Sequence, residues 1–427
     1  MSWIRRRPLT ALAALAFALR VACAAATEVR PLFPAYYYTD ATLAHEHAVA
    51  ALEDIRAGRS PRFNGSLGER LQTSISLGVY RTFGVRPFLL KLLNALLGAL
   101  AVAAFAWALS LAFSLQPALI AGLALAAWPS HVFFTSQNLK EAPIALLVYA
   151  ALGAAFAAGF ASGATKPRTA ILAAGAGLAL LASGFLRSYL PVGLGAALLL
   201  ALAYAARRPP RANALLTAGI LLAALAFYPY GARTLLAAFH SEELGPADED
   251  RLAPRLIPVT IDTTDAYTTH RPTSPEGISR FRDVRQAADR HWAATAAGRT
   301  IGTQIYPGEI FKTWLDVALY VPKGALTVLF MPLPGLYPMD GKPARWAAAA
   351  ENTALLLAAC LALAGFARGR KTPARLALIA FFAAMTAGSA LLEFDLGSAG
   401  RHKLLYLPMI FPFAAEEALR LLGLEPA

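Results

Sequence analysis

Residues 89–114 read LLKLLNALLGALAVAAFAWALSLAFS and carry a single charged side chain, Lys91. A helix that crosses the bilayer needs roughly 20 mainly apolar residues. This stretch meets that length with residues to spare, and its repeated Ala and Gly suit close helix–helix approach where lipid supplies no hydrophobic drive for association. Working outward, nine further runs of the same kind lie at 8–26, 117–134, 143–162, 169–186, 190–206, 214–230, 347–366, 376–392 and 404–422. The sequence therefore predicts an all-α polytopic membrane protein with about ten transmembrane helices.

The bulk numbers agree. The chain has 427 residues, of which 57% are apolar and 15% charged, and its mean hydropathy is +0.50. Soluble domains run near a quarter charged, so an ordinary soluble enzyme, a coiled coil and a disordered chain are excluded. The alternating ten-residue segments of a transmembrane barrel are missing. The two cysteines, Cys23 and Cys360, offer no disulfide framework and no thiolate metal site.

The net charge of +13 would elsewhere suggest nucleic acid, but its placement says otherwise. Four linkers hold Arg5, Arg6 and Arg7; Lys166 and Arg168; Arg207, Arg208 and Arg211; and Arg368, Arg370, Lys371 and Arg375, with no acidic residue among them. With ten spans, all four fall on one side. The positive-inside rule makes that side, and both termini, cytoplasmic. Nucleic acid is thereby an unlikely partner. The first run also has the marks of a cleaved signal peptide, with small residues at Ala24, Ala25 and Ala26; retention is favoured because many helices follow for it to pack against.

Two outer-side segments stand out. Loop A covers 27–88, with a predicted helix over 40–58. Loop B covers 231–346, with prolines at 254, 258, 272 and 275, a predicted amphipathic helix over 280–299, and an apolar, proline-broken stretch over 322–338 that reads as a membrane-surface or dipping segment. The expected division is 1–230, an N-terminal transmembrane module carrying loop A; 231–346, the second outer loop; and 347–427, the C-terminal helices.

The unusual polar residues all fall on the outer side. Asp40 follows Tyr36, Tyr37 and Tyr38 and reads either as a helix cap or as a general base. Six polar or charged residues run from Thr135 to Glu141, broken only by Leu139, at the lip of two apolar helices. There Lys140 stands beside a helix start that would favour a phosphate, although a hydrated turn carrying a Lys140–Glu141 pair is the plainer reading. Arg187 and Tyr189 separate two spans, as a snorkelling arginine or as part of an anion site. Arg401, His402 and Lys403 follow a glycine-containing turn, where arginine could grip phosphate oxygens in a fork or simply sit at the surface. Arg20 lies inside the first span, and an intramembrane charge is a functional candidate by default. His45-Glu46-His47 lacks the spacing of a helical zinc motif.

In their order these motifs resemble the lipid-carrier-dependent glycosyltransferases of the GT-C superfamily, which include protein O-mannosyltransferases and the aminoarabinose transferase acting on lipid A. The resemblance rests on Arg20 late in the first helix, on Asp40, Ala48 and Gly58, on Pro129, Ser130, Ser136, Lys140 and Glu141, on the MPLPG run at 331–335, and on Gly397, Gly400, Arg401 and Lys403. It covers most of the chain. The family's acidic pair is reduced here to Asp40 followed by Ala41.

The resemblance implies an inverting transfer of a sugar from a polyprenyl-phosphate donor to an envelope glycan, lipid or protein acceptor on the outer face of a bacterial inner membrane. In that scheme Asp40 is the catalytic base, and Lys140, Arg187, Arg401 and Lys403 bind the lipid phosphate. Arg20, Glu141, Tyr189 and His402 support them. No cofactor is assigned and no metal ligands are identified, so a divalent metal stays open. A transporter or flippase of lipid-linked glycan, and a non-catalytic subunit of an envelope assembly complex, are the alternatives. Trp292, Tyr306, Trp314 and Tyr320 of loop B offer flat faces either for sugar rings or for packing at the bilayer.

Overall fold

The computed structural model of the protein describes residues 7–32, 39–63, 65–160, 165–207, 211–239, 273–297, 303–339 and 342–424. The Tyr36–Tyr38 cluster, Pro254, Pro258, Pro272, Arg5, Arg6 and Arg208 lie outside the described residues, as does the side chain of Trp292. The described chain is all-α, with one isolated bridge between Gln304 and Asp395.

Among the described residues, ten helices lie before position 240: α1 (Pro8–Val29), α2 (Thr39–Arg56), α3 (Leu67–Phe83), α4 (Pro87–Ser110), α5 (Leu115–Ala127), α6 (Pro129–Phe134), α7 (Glu141–Gly159), α8 (Lys166–Leu186), α9 (Leu190–Ala205) and α10 (Ala212–Ala238). Six follow: α11 (Pro275–Ala297), α12 (Trp314–Phe330), α13 (Pro343–Arg368), α14 (Pro373–Leu392), α15 (Leu396–His402) and α16 (Phe411–Leu421). Proline opens α1, α4 and α6, where its fixed φ suits the first turn and its missing N–H costs nothing.

Seven of these, α1, α4, α7, α8, α10, α13 and α14, are long and apolar enough to cross a membrane, and α5 and α9 are shorter apolar helices. All ten expected runs are helical, but two are not single rods. The run at 117–134 divides at Trp128, where Pro129 starts a new helix. The run at 404–422 begins with tight turns at Lys403–Leu405 and Leu407–Ile410 before the 11-residue α16. The lipid-facing surface is plain in the spanning helices, where Leu178 and Leu363 are 67% and 71% exposed.

The chain forms two compact units. The first holds α1–α10, the later part of α13, the first half of α14 and α16. Here α4 packs on α1, α5 and α7, α7 on α8, and α10 on α8 and α9. Loop A is a helix pair: Ala48, Ala51 and Leu52 of α2 bury against Leu77 and Tyr80 of α3 and Leu90 of α4. The sequence reading found α2 and missed α3, whose start is marked by Ser66, with its N–H held by Glu69 at 2.7 Å.

Loop A also carries a buried charge. The Asp54 carboxylate accepts two hydrogen bonds from Arg59, at 2.9 and 2.7 Å, and one from Arg62 at 3.2 Å, closing the turn after α2. Burial alone would push the Asp54 carboxyl up; the hydrogen bonds and charges of Arg59 and Arg62 outweigh it and hold it below the usual carboxylate range. Elsewhere in the same unit, Arg375 forks onto Glu416 at 3.0 and 2.7 Å and lies over the Phe113 ring, while Arg368 and Arg420 pair with Glu417. Two residues read only as a topology signal, Arg368 and Arg375, therefore also anchor α16.

The second unit holds α11, α12, the first part of α13, the last part of α14 and α15. Its centre is Arg282 of α11, 1% exposed. Arg282 donates to the Tyr320 hydroxyl at 2.9 Å and to the backbone carbonyls of Ile305, Ala390 and Leu391 at 2.8, 3.3 and 3.3 Å. Ile278, Phe311, Val317 and Tyr320 pack around it. The expected proline-broken stretch at 322–338 is the second half of α12, which runs through Pro322, followed by turns from 332 onward.

Two predictions follow from this packing. A Cβ at Gly365 would lie 2.2 Å from the Phe413 carbonyl oxygen, whereas one at Gly219 meets nothing within 4 Å. Gly365→Ala should lower the melting temperature of the detergent-solubilised protein. Gly219→Ala, on helix propensity alone, should raise stability by about 1 kcal/mol. Asp54, whose pKa is lower folded than unfolded, contributes stability that is complete above about pH 4 and is lost as pH falls through its lower folded value. Asp54→Asn should melt below wild type at pH 7, with the gap closing in melts taken below pH 4.

Candidate functional site

The polar run after α6 is a turn whose groups are almost all buried. Thr135 and Ser136 return their hydroxyls to the His131 and Phe133 carbonyls at 2.5 and 2.8 Å, satisfying acceptors that a helix end leaves open. The rest is held by other helices of the same unit. Asn94 of α4 donates to the Gln137 carbonyl at 2.5 Å, Gln72 of α3 donates to the Asn138 carbonyl at 2.7 Å, and the Gln137 amide reaches Thr27 of α1 at 3.2 Å.

Arg20 locks this turn from beneath. It is fully buried in α1, and its guanidinium bonds Thr135 Oγ1 at 2.8 Å, His131 Nδ1 at 2.6 Å and the Ala16 carbonyl at 2.9 Å. A Cβ at Gly98 of α4 would fall 2.7 Å from Arg20 Nε and 2.9 Å from Thr135; only glycine leaves room for the pair.

At the far end of the turn, Lys140 precedes α7 and is half-buried, and Glu141 is 2% exposed. Glu141 Oε1 accepts from Arg187 Nη2 at 2.8 Å, and Arg187 Nη1 donates to the Tyr189 hydroxyl at 3.0 Å. Lys140, Glu141, Arg187 and Tyr189 thus gather at one end of α7 and α8.

Lys140 also lines a small cleft of about 30 Å³. Ile75, Leu90, Leu93, Leu97, Leu139 and Leu186 give it apolar walls. Ser76 and Asn138 line the same cleft, yet Ser76 Oγ and Asn138 Nδ2 are buried and make no hydrogen bond among the described residues. A buried polar atom without a partner costs about 1–3 kcal/mol, so two of them in one apolar cleft beside a lysine suit a ligand with an apolar body and an acceptor-rich, anionic head. Sequence reasoning missed Ser76, Asn94 and Gln72; nothing in their spacing marks them, because their roles come from packing against a turn 40 or more residues away.

Asp40 is exposed in the first turn of α2 and is not among the residues lining the cleft. On the same helix His45 Nδ1 meets the Tyr80 hydroxyl at 2.7 Å. Burial holds the His47 imidazole below its usual value and pushes the Tyr80 phenol up to about 12. Among the described residues, no group of three or more His, Cys, Asp or Glu could hold a metal ion.

In the second unit the three consecutive basic residues diverge. Arg401 is half-buried on α15, and His402 pairs with Glu393. Lys403 is buried, donating to the Leu329 carbonyl at 2.8 Å and Asn352 Oδ1 at 2.6 Å. Of the loop B aromatics, Tyr320 is 4% exposed in the core and Trp314 is 58% exposed.

No family model and no curated protein matches the chain. Among solved structures it is similar to the archaeal oligosaccharyltransferase AglB of Archaeoglobus fulgidus, solved with an inhibitory peptide and a dolichol-phosphate. The TM-score is 0.51 at 14% identity, over 98% of this chain and 51% of that one. The chain thus spans about half the length of AglB. ArnT of Cupriavidus metallidurans bound to undecaprenyl phosphate gives a TM-score of 0.37 at 16% identity, over 92% of this chain and 78% of that one. The chain shares its fold with AglB over that half, and it is an integral membrane protein.

Arg20→Met tests the lock. It removes the donor shared by Thr135, His131 and the helix carbonyls, at about 1–3 kcal/mol for each acceptor left buried and unserved. A lower melting temperature and faster proteolysis within 128–140 are the expected results.

Proposed function

We propose that the chain is a membrane glycosyltransferase that takes a sugar from a polyprenyl-phosphate donor. The observation that carries this reading is the apolar cleft lined by Lys140, Ser76 and Asn138. A phosphate at Lys140 would accept hydrogen bonds from the two unserved groups, and the apolar walls would take the first units of the lipid chain. AglB, whose fold the chain shares, was solved with a dolichol-phosphate, a lipid phosphate of the same chemical class as the proposed carrier.

In the proposed reaction an acceptor hydroxyl loses its proton to Asp40 as its oxygen attacks the anomeric carbon. The bond from that carbon to the phosphate oxygen breaks with inversion, and the electron pair leaves with the lipid phosphate. Lys140 neutralises the charge that develops there. Glu141 is held by Arg187, and Arg187 by Tyr189, so these three fix the end of α7 from which Lys140 projects. Arg401 remains a proposed anion-binding group of the second unit. Lys403 is left out of the phosphate set because its ammonium is committed to Leu329 and Asn352. Loop B, with residues 231–346, is assigned to the glycan, lipid or protein acceptor, and the outer face of a bacterial inner membrane, with cytoplasmic termini, is the proposed setting.

Proteoliposomes supplied with a labelled undecaprenyl-phosphate sugar test the reading. Asp40→Asn should lower transfer by about a hundredfold or more, the usual worth of a general base, with donor affinity unchanged. Lys140→Ala and Ser76→Leu should instead weaken donor binding. Sugar carried across the bilayer without transfer would favour a flippase, and wild-type donor affinity in both cleft variants would end the phosphate assignment.

A further inference from the structure

The α12 helix has an apolar face that none of the described residues covers. Leu315, Leu319, Pro322 and Leu326 are all exposed, the three leucines at 66%, 70% and 59%. At 3.6 residues per turn these four fall within an arc of about 60° and run about 16 Å along the helix. Val317, Tyr320, Gly324 and Val328, on the opposite side, are buried. Ile310 and Trp314, just before the stripe, are 60% and 58% exposed. In water such a face would be a liability.

Two anchors within the same unit set where the helix lies. Near its middle, Gly324 packs on the last turn of the spanning helix α14: a Cβ there would meet Ala390 Cβ at 3.0 Å and the Ala390 carbonyl oxygen at 3.1 Å. At its end, the Leu329 carbonyl is tied through Lys403 to Asn352 of the spanning helix α13. Asn352 in turn donates to the Pro332 carbonyl at 3.2 Å. Asn352 lies six residues, about 9 Å, past Trp346, and Trp346 is 52% exposed at the start of α13, a position where tryptophan favours the membrane interface. So α12 meets α14 at that helix's end and then descends alongside α13.

The flanking charge fits this course. Lys323 Nζ lies 3.9 Å from the centroid of the Tyr306 ring and 3.7 Å from Glu309, drawn to the side of the stripe. At 17 residues, α12 falls short of the roughly 20 of a typical span.

We propose that α12 dips into the bilayer, its Leu315–Leu319–Pro322–Leu326 stripe facing hydrocarbon and its C-terminal end deepest. The occupant of the face is lipid. The inference rests on the spanning helices and is independent of the proposed reaction.

The full chain, reconstituted in lipid nanodiscs, tests it. In a Cys23→Ala, Cys360→Ala background, Leu315→Cys, Leu319→Cys and Leu326→Cys are each labelled with an NBD fluorophore. These positions are exposed, so the changes should leave folding intact, checked by circular dichroism and gel filtration. Doxyl-labelled lipid should quench the label at 319 and 326 more strongly than iodide does, and lipid quenching should rise from 315 to 326. Stronger iodide quenching at 319 and 326 would place the face in water and overturn the proposal. Protection from both quenchers would mean a protein partner covers it, which also overturns it. Lipid quenching that is flat or falls from 315 to 326 would refute the dip.

Discussion

An α-helix leaves its last carbonyls without partners, and away from water each must be served by the protein itself. That constraint recurs throughout this structure, and the chain answers it with basic side chains from distant segments. Arg20 reaches Ala126 in the last turn of α5 at 3.5 Å. Arg282 serves Ala390 and Leu391 at the end of α14. Lys403 serves Leu329 at the end of α12. Arg375 serves Ala112, just past α4, at 3.2 Å, and Arg70 serves Phe239, just past α10, at 3.2 Å. A cation at a helix C-terminus is favoured by the helix dipole as well as by the hydrogen bond. Each pairing joins two segments far apart in sequence, so the same contact that finishes a helix also fixes its neighbour.

The candidate site depends on one of these contacts. Burying a guanidinium is costly unless its donors are filled. Arg20 fills them with Thr135, His131 and two helix carbonyls, and in doing so pins the start of the turn that ends at Lys140. The turn then has little freedom left, because Asn94, Gln72 and Thr27 hold its middle. Lys140, Ser76 and Asn138 line the cleft together with Gln72 and Asn94. A binding site held by a buried scaffold is pre-organised, so little entropy is lost when a ligand arrives. Even Lys91, the one charge in the longest apolar run, is accounted for: it pairs with Glu28 at 2.6 Å, joining the start of α4 to the end of α1.

How much of this could be read in the sequence follows from the range of each interaction. Hydropathy is summed over a window, so the ten apolar runs and the amphipathic α2 and α11 were legible. Ends set by a local residue were partly legible: Pro129 breaks the third run, and the Ser66–Glu69 and Thr313–Asp316 pairs mark helix starts that were passed over. Side-chain destinations were not legible. Arg375 and Lys403 have the same local setting as many surface cations, and only the packed chain shows that one forks onto Glu416 and the other faces inward to Asn352. Ser76 is an ordinary serine on α3 until its hydroxyl is found buried without a partner.

The same reasoning accounts for a shared fold at 14% identity to AglB. Most positions in the spanning helices need only be apolar and of suitable size, and many sequences satisfy that. The demanding positions are few: small residues where helices nearly touch, as Gly98 does beneath Arg20 and Thr135, and polar side chains that serve helix ends. A fold specified by an apolar pattern and a handful of buried polar ties can keep its architecture while almost every other residue changes. Likeness of that sort is faint in the sequence and visible in the arrangement of the helices.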